Sequence, residues 1–310
     1  MVRYVVKRIA LLVPTLMIVI FIVSFIMQLT PSDPGTLILG ERATPEAVAQ
    51  LNEELGYNDP FFARYVKYVI GAFQGDLGKS WKTGNPVIRE IVRRFPATVT
   101  LAVGSIVIGL VVGMSLGILS AIKQYSALDV AGTAFAMTLA SFPGFWVGMM
   151  LIVLFSLRLG WLPSFGIGSL KHFVLPWIAT CCSFAASMLR MTRTSMLESI
   201  RMDYIRTARA KGVSERNVIM KHALRNALLP VVTIMGMSFG TLLGGTVTIE
   251  TVFSIPGVGS LIIESIRTKD IPVVVGATVT LATCFTLLML VVDILYAFID
   301  PRIKARYIRG

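Results

Sequence analysis

Charge is what this sequence has least of. Only 15% of its 310 residues are Asp, Glu, Lys or Arg, whereas a soluble domain carries about 25%. Cysteine is scarce too. Three cysteines are too few for a disulfide framework, and none stands in a C-x-x-C spacing. Cys181 and Cys182 are adjacent and Cys284 lies in another apolar run, as suits small apolar packers. The two histidines, His172 and His222, have no i,i+4 partner, so no metal set is indicated. A G-x-S-x-G elbow and a paired-carboxylate motif are both missing, and with them any visible chemistry of the chain's own. The stretch GDLGKS at 75–80 ends like a phosphate-binding loop. Phe73, however, stands where the first glycine of G-x-x-x-x-G-K-[ST] belongs, and wrapping phosphate in backbone amides needs that glycine.

Apolar residues make up the difference, at 55% with a mean hydropathy of +0.76. A helix needs about 20 of them in a row to cross a membrane. Six stretches qualify or nearly so: 9–29, 98–122, 130–157, 173–189, 229–249 and 272–299. The fourth is the shortest. The first has a basic start in Arg3, Lys7 and Arg8. Its apolar core exceeds the roughly 7–15 residues of a signal peptide, and no small-x-small cleavage site follows, so it reads as a retained span. The expected architecture is all-α, a polytopic membrane protein with six transmembrane helices.

The formal net charge of +12 would suggest nucleic acid in a soluble protein. In a polytopic one it marks loops held on the cytoplasmic side, and nucleic acid is not expected as a partner. With six spans and the start inside, the cytoplasmic pieces hold nearly all the excess cations, from Arg3, Lys7 and Arg8 through Lys123 and the run Arg190 to Arg225, to Arg302, Lys304, Arg306 and Arg309. Asp129, Glu198, Asp203, Glu215 and Asp300 oppose them. The segment 30–97 is close to neutral. Both termini are therefore expected in the cytoplasm.

That neutral segment has its own pattern. Thr44 reads as a helix cap, with Pro45 at the first helical position and Glu46 in the first turn. DPFFARYVKYVIGAF reads as a short amphipathic helix. A small folded cap outside the membrane is expected, either purely structural or a docking surface.

Two spans carry glycines four residues apart, Gly109, Gly113 and Gly117 in one, Gly236, Gly240 and Gly244 (followed by Gly245) in the other. Such rows let another backbone come close, within the subunit or to a second one. A smooth face along a path is the other reading, and the two are compatible. Ser141-Phe142-Pro143-Gly144 interrupts the third span, where proline removes a backbone donor. A break at that depth must be covered by protein or line a water-filled cavity, which points to a transport path. An ordinary kink is the alternative. Glu250 at one end of the fifth span and Asp293 deep in the last are costly carboxylates, each structural or functional. Candidate path residues are thus Ser141, Phe142, Pro143, Gly144, Gly240, Gly244, Glu250 and Asp293.

The basic loop between spans four and five is patterned as well. From Tyr204 to Lys211 it is helix-prone, Gly212 breaks it, and Val213-Ser214-Glu215 looks like a fresh start with a serine cap. Asn217 to Leu228 continues helical, and Pro230 is expected to begin the next span. An interfacial helix on anionic headgroups leaves the glycine bend unexplained. A structured protrusion suits a cleft on another protein.

RTARAKG at 206–212 with the later Leu229-Pro230 resembles the cytoplasmic signature loop of inner-membrane subunits of binding-protein-dependent ABC importers, usually written E-A-A-x-x-x-G followed by I-x-L-P. Arg206-Thr207-Ala208 stands where Glu-Ala-Ala would be. With VKRIALLVPTL, PSDPG, RMTRTSMLE, DYIRTARAKG, HALRNALLPVVT, ETVFSIPGVG and DILYAFIDPR, the whole chain resembles the dipeptide/oligopeptide/nickel permease branch. The resemblance implies an N-terminal region over 1–94, a type I importer transmembrane domain over 95–299 with a coupling loop at about 190–228, and a basic tail at 300–310. It implies that Thr207, Ala208, Arg209, Ala210, Lys211, Gly212, Val213 and Ser214 dock in a groove of a cytoplasmic ATPase. The partners implied are a second homologous permease, two ATPase subunits and an external solute-binding protein, in a bacterial inner membrane. This chain would bind no cofactor, ATP and Mg being held by the ATPase subunits, and it would itself be no enzyme. The cargo implied is a short peptide, a dipeptide or oligopeptide, with a nickel chelate or glutathione as the alternative. A stand-alone secondary transporter fits less well, since no second half or inverted repeat is evident.

Overall fold

The computed structural model describes residues 2–29, 33–40 and 42–299, and within them the side chains other than those of 2–9, 229, 239–241, 243, 293 and 295–299. The expected basic tail, 300–310, lies outside the described residues. Every helix or strand element among the described residues is helical, as expected. In chain order the helices are α1 (Val2–Gln28), α2 (Pro34–Leu39), α3 (Pro45–Glu54), α4 (Phe61–Phe73), α5 (Val87–Ile122), α6 (Ala127–Ser141), α7 (Gly144–Leu151), α8 (Lys171–Ile200), α9 (Asp203–Ala210), α10 (Glu215–Asn217), α11 (Leu224–Val252), α12 (Val258–Arg267) and α13 (Ile271–Ile299). Wider π turns follow α7 (Ile152–Arg158) and join α10 to α11 (Val218–Ala223).

Four helices are long and apolar enough to cross a membrane, or up to six if each of two bent pairs is one span. The sequence-based bounds shift in three places. The fifth helix begins at Val87 rather than at 98. The fourth expected span is not short, since α8 runs 30 residues. Pro230 does not open a helix. It lies inside α11, at a 51° bend between Glu215–Leu228 and Pro230–Ser238.

The chain divides into two compact units. One comprises Val2–Thr98 and Pro256–Leu287. Thr44 caps α3 with its side chain, with Pro45 at the first position and Glu46 in the first turn, as expected. Asp33 caps α2. The buried Asn52 amide donates to Asp33 Oδ1 at 2.7 Å and accepts from Gly35 N at 2.8 Å. A Cβ at residue 35 would lie 2.7 Å from the Val48 carbonyl oxygen, so glycine there lets α2 lie on α3. The GDLGKS stretch is structural too. Gly78 takes φ +83°, which turns the chain, and delivers Ser80 to Asp270. That carboxylate is 3% exposed. It accepts from Ser80 Oγ at 2.5 Å, Trp81 N at 3.1 Å and Lys82 N at 3.4 Å. Beneath it Leu77, Val87, Ile91, Val258, Leu261, Val273 and Ala277 form one apolar cluster.

The other unit comprises, among the described residues, 99–255 and 288–299. Its central element is α8, which packs on α6, α7 and α11. It also lies against the glycine row of α5. A Cβ at Gly109 would meet the Phe184 ring at 2.5 Å, at Gly113 the Ala185 carbonyl oxygen at 2.5 Å, and at Gly117 the Leu189 carbonyl oxygen at 2.7 Å. This row therefore serves close packing within the subunit. The second row divides. Gly236 meets Val292 of α13 at 2.7 Å, while Gly244 and Gly245 face open space. Gly240 is outside the described side chains.

Asp270→Ala strands the buried Ser80 hydroxyl and the Trp81 amide. A loss of about 3 kcal/mol is expected, read as a lowered apparent Tm in detergent, with Asp270→Asn intermediate because one acceptor remains. Glu264 accepts from Lys82 at 3.1 Å and pairs with Arg94 at 3.3 Å. Its carboxyl is held below the ordinary glutamate value, first by the Lys82 hydrogen bond, then by the Arg94 charge, against the opposing pull of burial. A lowered folded value means that this contribution is full above the ordinary range and is lost as pH falls through the lowered value. Tm measured against pH should therefore lose its acid-side slope in part in Lys82→Ala.

Candidate functional site

The break in the third span is a sharp turn rather than a kink. Ala127–Ser141 and Gly144–Arg158 lie at 103°. Ser141 Oγ donates to the Met137 carbonyl at 2.9 Å, which satisfies it within the helix end. Phe142 is extended at φ −87°, ψ 139°, as the residue before a proline prefers. Pro143 then caps α7, where a missing N–H costs nothing. Phe142 stacks on Trp146 with centroids 4.4 Å apart. A Cβ at Gly144 would come 3.3 Å from the Ala179 carbonyl oxygen of α8.

This turn opens a cavity of about 250 Å³ between the start of α7, the middle of α8 and α11. Phe142, Gly144 and Phe145 line it from α7, Thr180, Cys182, Ser183 and Ser187 from α8, and Ser238, Leu242, Gly245, Thr248 and Ile249 from α11, among others. Among the described residues its lining carries no charged side chain and five hydroxyls. Such a lining can offer hydrogen bonds to a polar solute.

Of the eight residues singled out for a path, two line the cavity, Phe142 and Gly144. Ser141 and Pro143 build the turn without lining it. Gly244 faces open space beside the lining Gly245. Glu250 is fully buried next to the lining Ile249 and does not face the cavity. Gly240 and Asp293 lie outside the described side chains. The sequence reading missed the hydroxyl row. Thr180, Ser183 and Ser187 recur at i, i+3 and i+7, one helical face, and that spacing within an apolar run was the available signal. Cys182 was read as a packer and lines the cavity.

Further along α8 lies a second missed feature. Asp129 is 2% exposed, yet it is charged and fully partnered. Arg193 of α8 donates to both its oxygens, Nε to Oδ1 at 2.7 Å and Nη2 to Oδ2 at 2.8 Å. Ser120 at the end of α5 donates to Oδ1, and the Tyr125 amide to Oδ2 at 2.9 Å. Ser126 caps α6 by accepting from Asp129 N. One carboxylate thereby ties α5, α6 and α8 together. The bidentate fork is the strong form of such a pair.

Three residues past its last turn, α8 is followed by the basic loop. In α9, Ile205 and Ala208 turn inward and join a cluster with Met196, Val218, Ile219, Ala223 and Ala227. Ala208, grouped with the docking residues from the sequence, is packed inside. Thr207, Arg209, Ala210, Lys211, Gly212 and Ser214 are exposed and Val213 is half-buried. Gly212 takes φ +75° and its amide bonds to the Arg209 carbonyl at 2.9 Å, a left-handed helix end that glycine alone adopts without strain. Across this bend Arg209 grips Glu215, Nη2 to Oε1 at 2.6 Å and Nε to Oε2 at 3.1 Å. Ser214 precedes α10 but makes no side-chain cap bond. Its carbonyl accepts from Val218 N instead.

Residues 113–305 match the family described as "Binding-protein-dependent transport system inner membrane component", and residues 1–102 its membrane-component N-terminal region. The chain is 42% identical to the glutathione transport system permease protein GsiC of Salmonella paratyphi A over 304 residues, 98% of this chain and 99% of that one. It has the same identity and coverage against GsiC of Escherichia coli (strain K12). Among solved structures, an inward-facing MetNI methionine ABC transporter chain superposes with a TM-score of 0.59 at 20% identity, covering 69% of this chain and 97% of that one. That likeness is one of fold.

Arg193→Ala leaves the Asp129 charge buried without its main partner. A loss of about 3–5 kcal/mol is expected, read by thermal unfolding in detergent. The double variant Asp129→Asn, Arg193→Met should recover much of it. If the double variant is as unstable as Arg193→Ala, the stranded charge is not the cause.

Proposed function

This chain belongs to the family of inner-membrane components of binding-protein-dependent transport systems, a permease subunit of an ABC importer, and from that premise we propose that its cargo is glutathione. The observation that carries the reading is the 42% identity to glutathione permeases over 98% of the chain. The sequence motifs had pointed first to dipeptides or oligopeptides, with glutathione as the alternative. The relatives at this identity favour the alternative. The neutral, hydroxyl-lined cavity agrees with a small polar solute that must be bound weakly enough to leave.

The working complex is this chain, a second permease, two ATPase subunits and an external solute-binding protein. ATP and Mg sit on the ATPase subunits, so this subunit performs no chemistry. Both termini face the cytoplasm. An N-terminal region over 1–94 precedes a transmembrane domain over 95–299 that carries the coupling loop. ATP binding closes the ATPase pair, and the exposed residues around Gly212 carry that motion into α8. Since α8 also lines the cavity, its movement opens the path alternately to either side, and hydrolysis resets it. Arg206 or Thr207 cannot supply the carboxylate of the usual signature; here Arg209 and Glu215 pair across the bend instead.

The cargo is tested by uptake of radiolabelled glutathione into cells that lack other glutathione importers and express the chain with its partner subunits. Saturable uptake that unlabelled dipeptides do not compete is expected. Uptake of a dipeptide with no entry of, or competition by, glutathione overturns the assignment. Gly212→Arg strains the left-handed bend and puts bulk on the docking face. Transport should fall to background while the chain still inserts in the membrane at normal levels. Undiminished uptake would remove the loop from the coupling role.

A further inference from the structure

The segment between α1 and α5 reads in sequence as a cap outside the membrane, but one of its helices is placed otherwise. On its inner side α4 packs against α1 and α13. The Tyr65 hydroxyl donates to the Met17 carbonyl at 3.1 Å. Phe21 meets Phe61 and Tyr65 edge-on with centroids 5.5 and 5.6 Å apart. Val69 is buried in a cluster with Ile20 of α1 and Val275 and Val279 of α13.

These contacts report depth. Met17 lies nine residues past Arg8, the last cation of the N-terminal run, and eleven short of Gln28. At about 1.5 Å per residue it stands about 14 Å from one and about 16 Å from the other, the middle of a hydrocarbon layer about 30 Å thick. The second helix agrees. Val275 and Val279 lie four and eight residues in from Ile271, about 6 and 12 Å below that end of α13. Two spans thus place α4 below the level at which water begins.

The other sides of α4 fit that depth. Phe62, Val66, Ile70 and Phe73 recur at i, i+4, i+8 and i+11 and are 69%, 51%, 53% and 62% exposed. On the neighbouring α1, Ile18, Ile22 and Ile26 are uncovered as well. Arg64 and Lys67 fall on the remaining arc. A long cationic side chain there can reach back to the headgroups while its stem stays in apolar surroundings.

We propose that α4 is seated in the lipid of the leaflet far from the N-terminus, with the Phe62–Val66–Ile70–Phe73 stripe against acyl chains. The helix is a lipid anchor for the segment that follows it, not part of a water-exposed cap. The inference rests on α1 and α13 being spans and is independent of the cargo.

The test is a nitroxide label at each of the four stripe positions and at Lys67, in a chain with its three native cysteines replaced by alanine. The tagged chain is purified with its co-assembled subunits and reconstituted in phospholipid vesicles. At all four stripe positions oxygen should collide with the label several-fold more often than a water-soluble nickel chelate, with the balance shifting toward the chelate at Lys67. Free access of the chelate to the stripe would place α4 in water. Shielding from both reagents would mean that a protein surface, such as the second permease, covers it. Either result overturns the proposal. As a check that leaves the native cysteines in place, Val66→Trp and Phe73→Trp should each add fluorescence that lipids brominated on the acyl chain quench. Absence of quenching at both positions counts against the proposal in the same way.

Discussion

The closeness of α8 to α5 is the constraint on which the transmembrane unit depends. At Gly113 and Gly117 backbone carbonyls of α8 occupy the space a side chain would take. In lipid no hydrophobic force drives helices together, so contact area and close approach have to do it. Once α8 is fixed, the rest follows along its length. Its middle supplies the hydroxyl face of the cavity, Arg193 holds Asp129 and with it the start of α6, and its end leads into α9. A single helix of 30 residues therefore joins the features that would have to move together in a transport cycle.

The local parts of this arrangement were legible in the sequence. Thr44 and Pro45 announce a helix start because capping needs only neighbours. Gly212 announces a helix end because its conformation is local. The apolar runs announce helices because lipid admits few other shapes. What could not be read is long-range. Asp129 and Arg193 are 64 residues apart, and no periodicity links them. Pro230 looked like a boundary because proline disfavours helix interiors, yet α11 carries it at a bend. α8 outran its apolar stretch since Thr192, Ser195 and Ser199 are buried polar residues that a hydropathy window counts against a span. The cavity needed three elements at once, and only the Phe142–Gly144 turn hinted at it.

The two glycine rows show how one pattern divides in its use. Both read alike as four-residue repeats. On α5 each position meets a neighbour too near for a methyl group. On α11, among the described positions, Gly236 does, and Gly244 and Gly245 face open space. Spacing identifies a smooth face, and only the neighbour decides whether that face is a contact or a wall of a passage.

The Arg209–Glu215 grip across Gly212 has a consequence for timing. A loop that had to find its shape while meeting a partner would lose backbone and side-chain freedom at that moment, and its association would be weakened accordingly. Here Ile205 and Ala208 are already buried, the bend is already set, and two hydrogen bonds span it. The loss of freedom falls at folding, before any partner is met. In the coupling role proposed above, a loop built in this way would act as a rigid pawl, passing on a displacement without absorbing it.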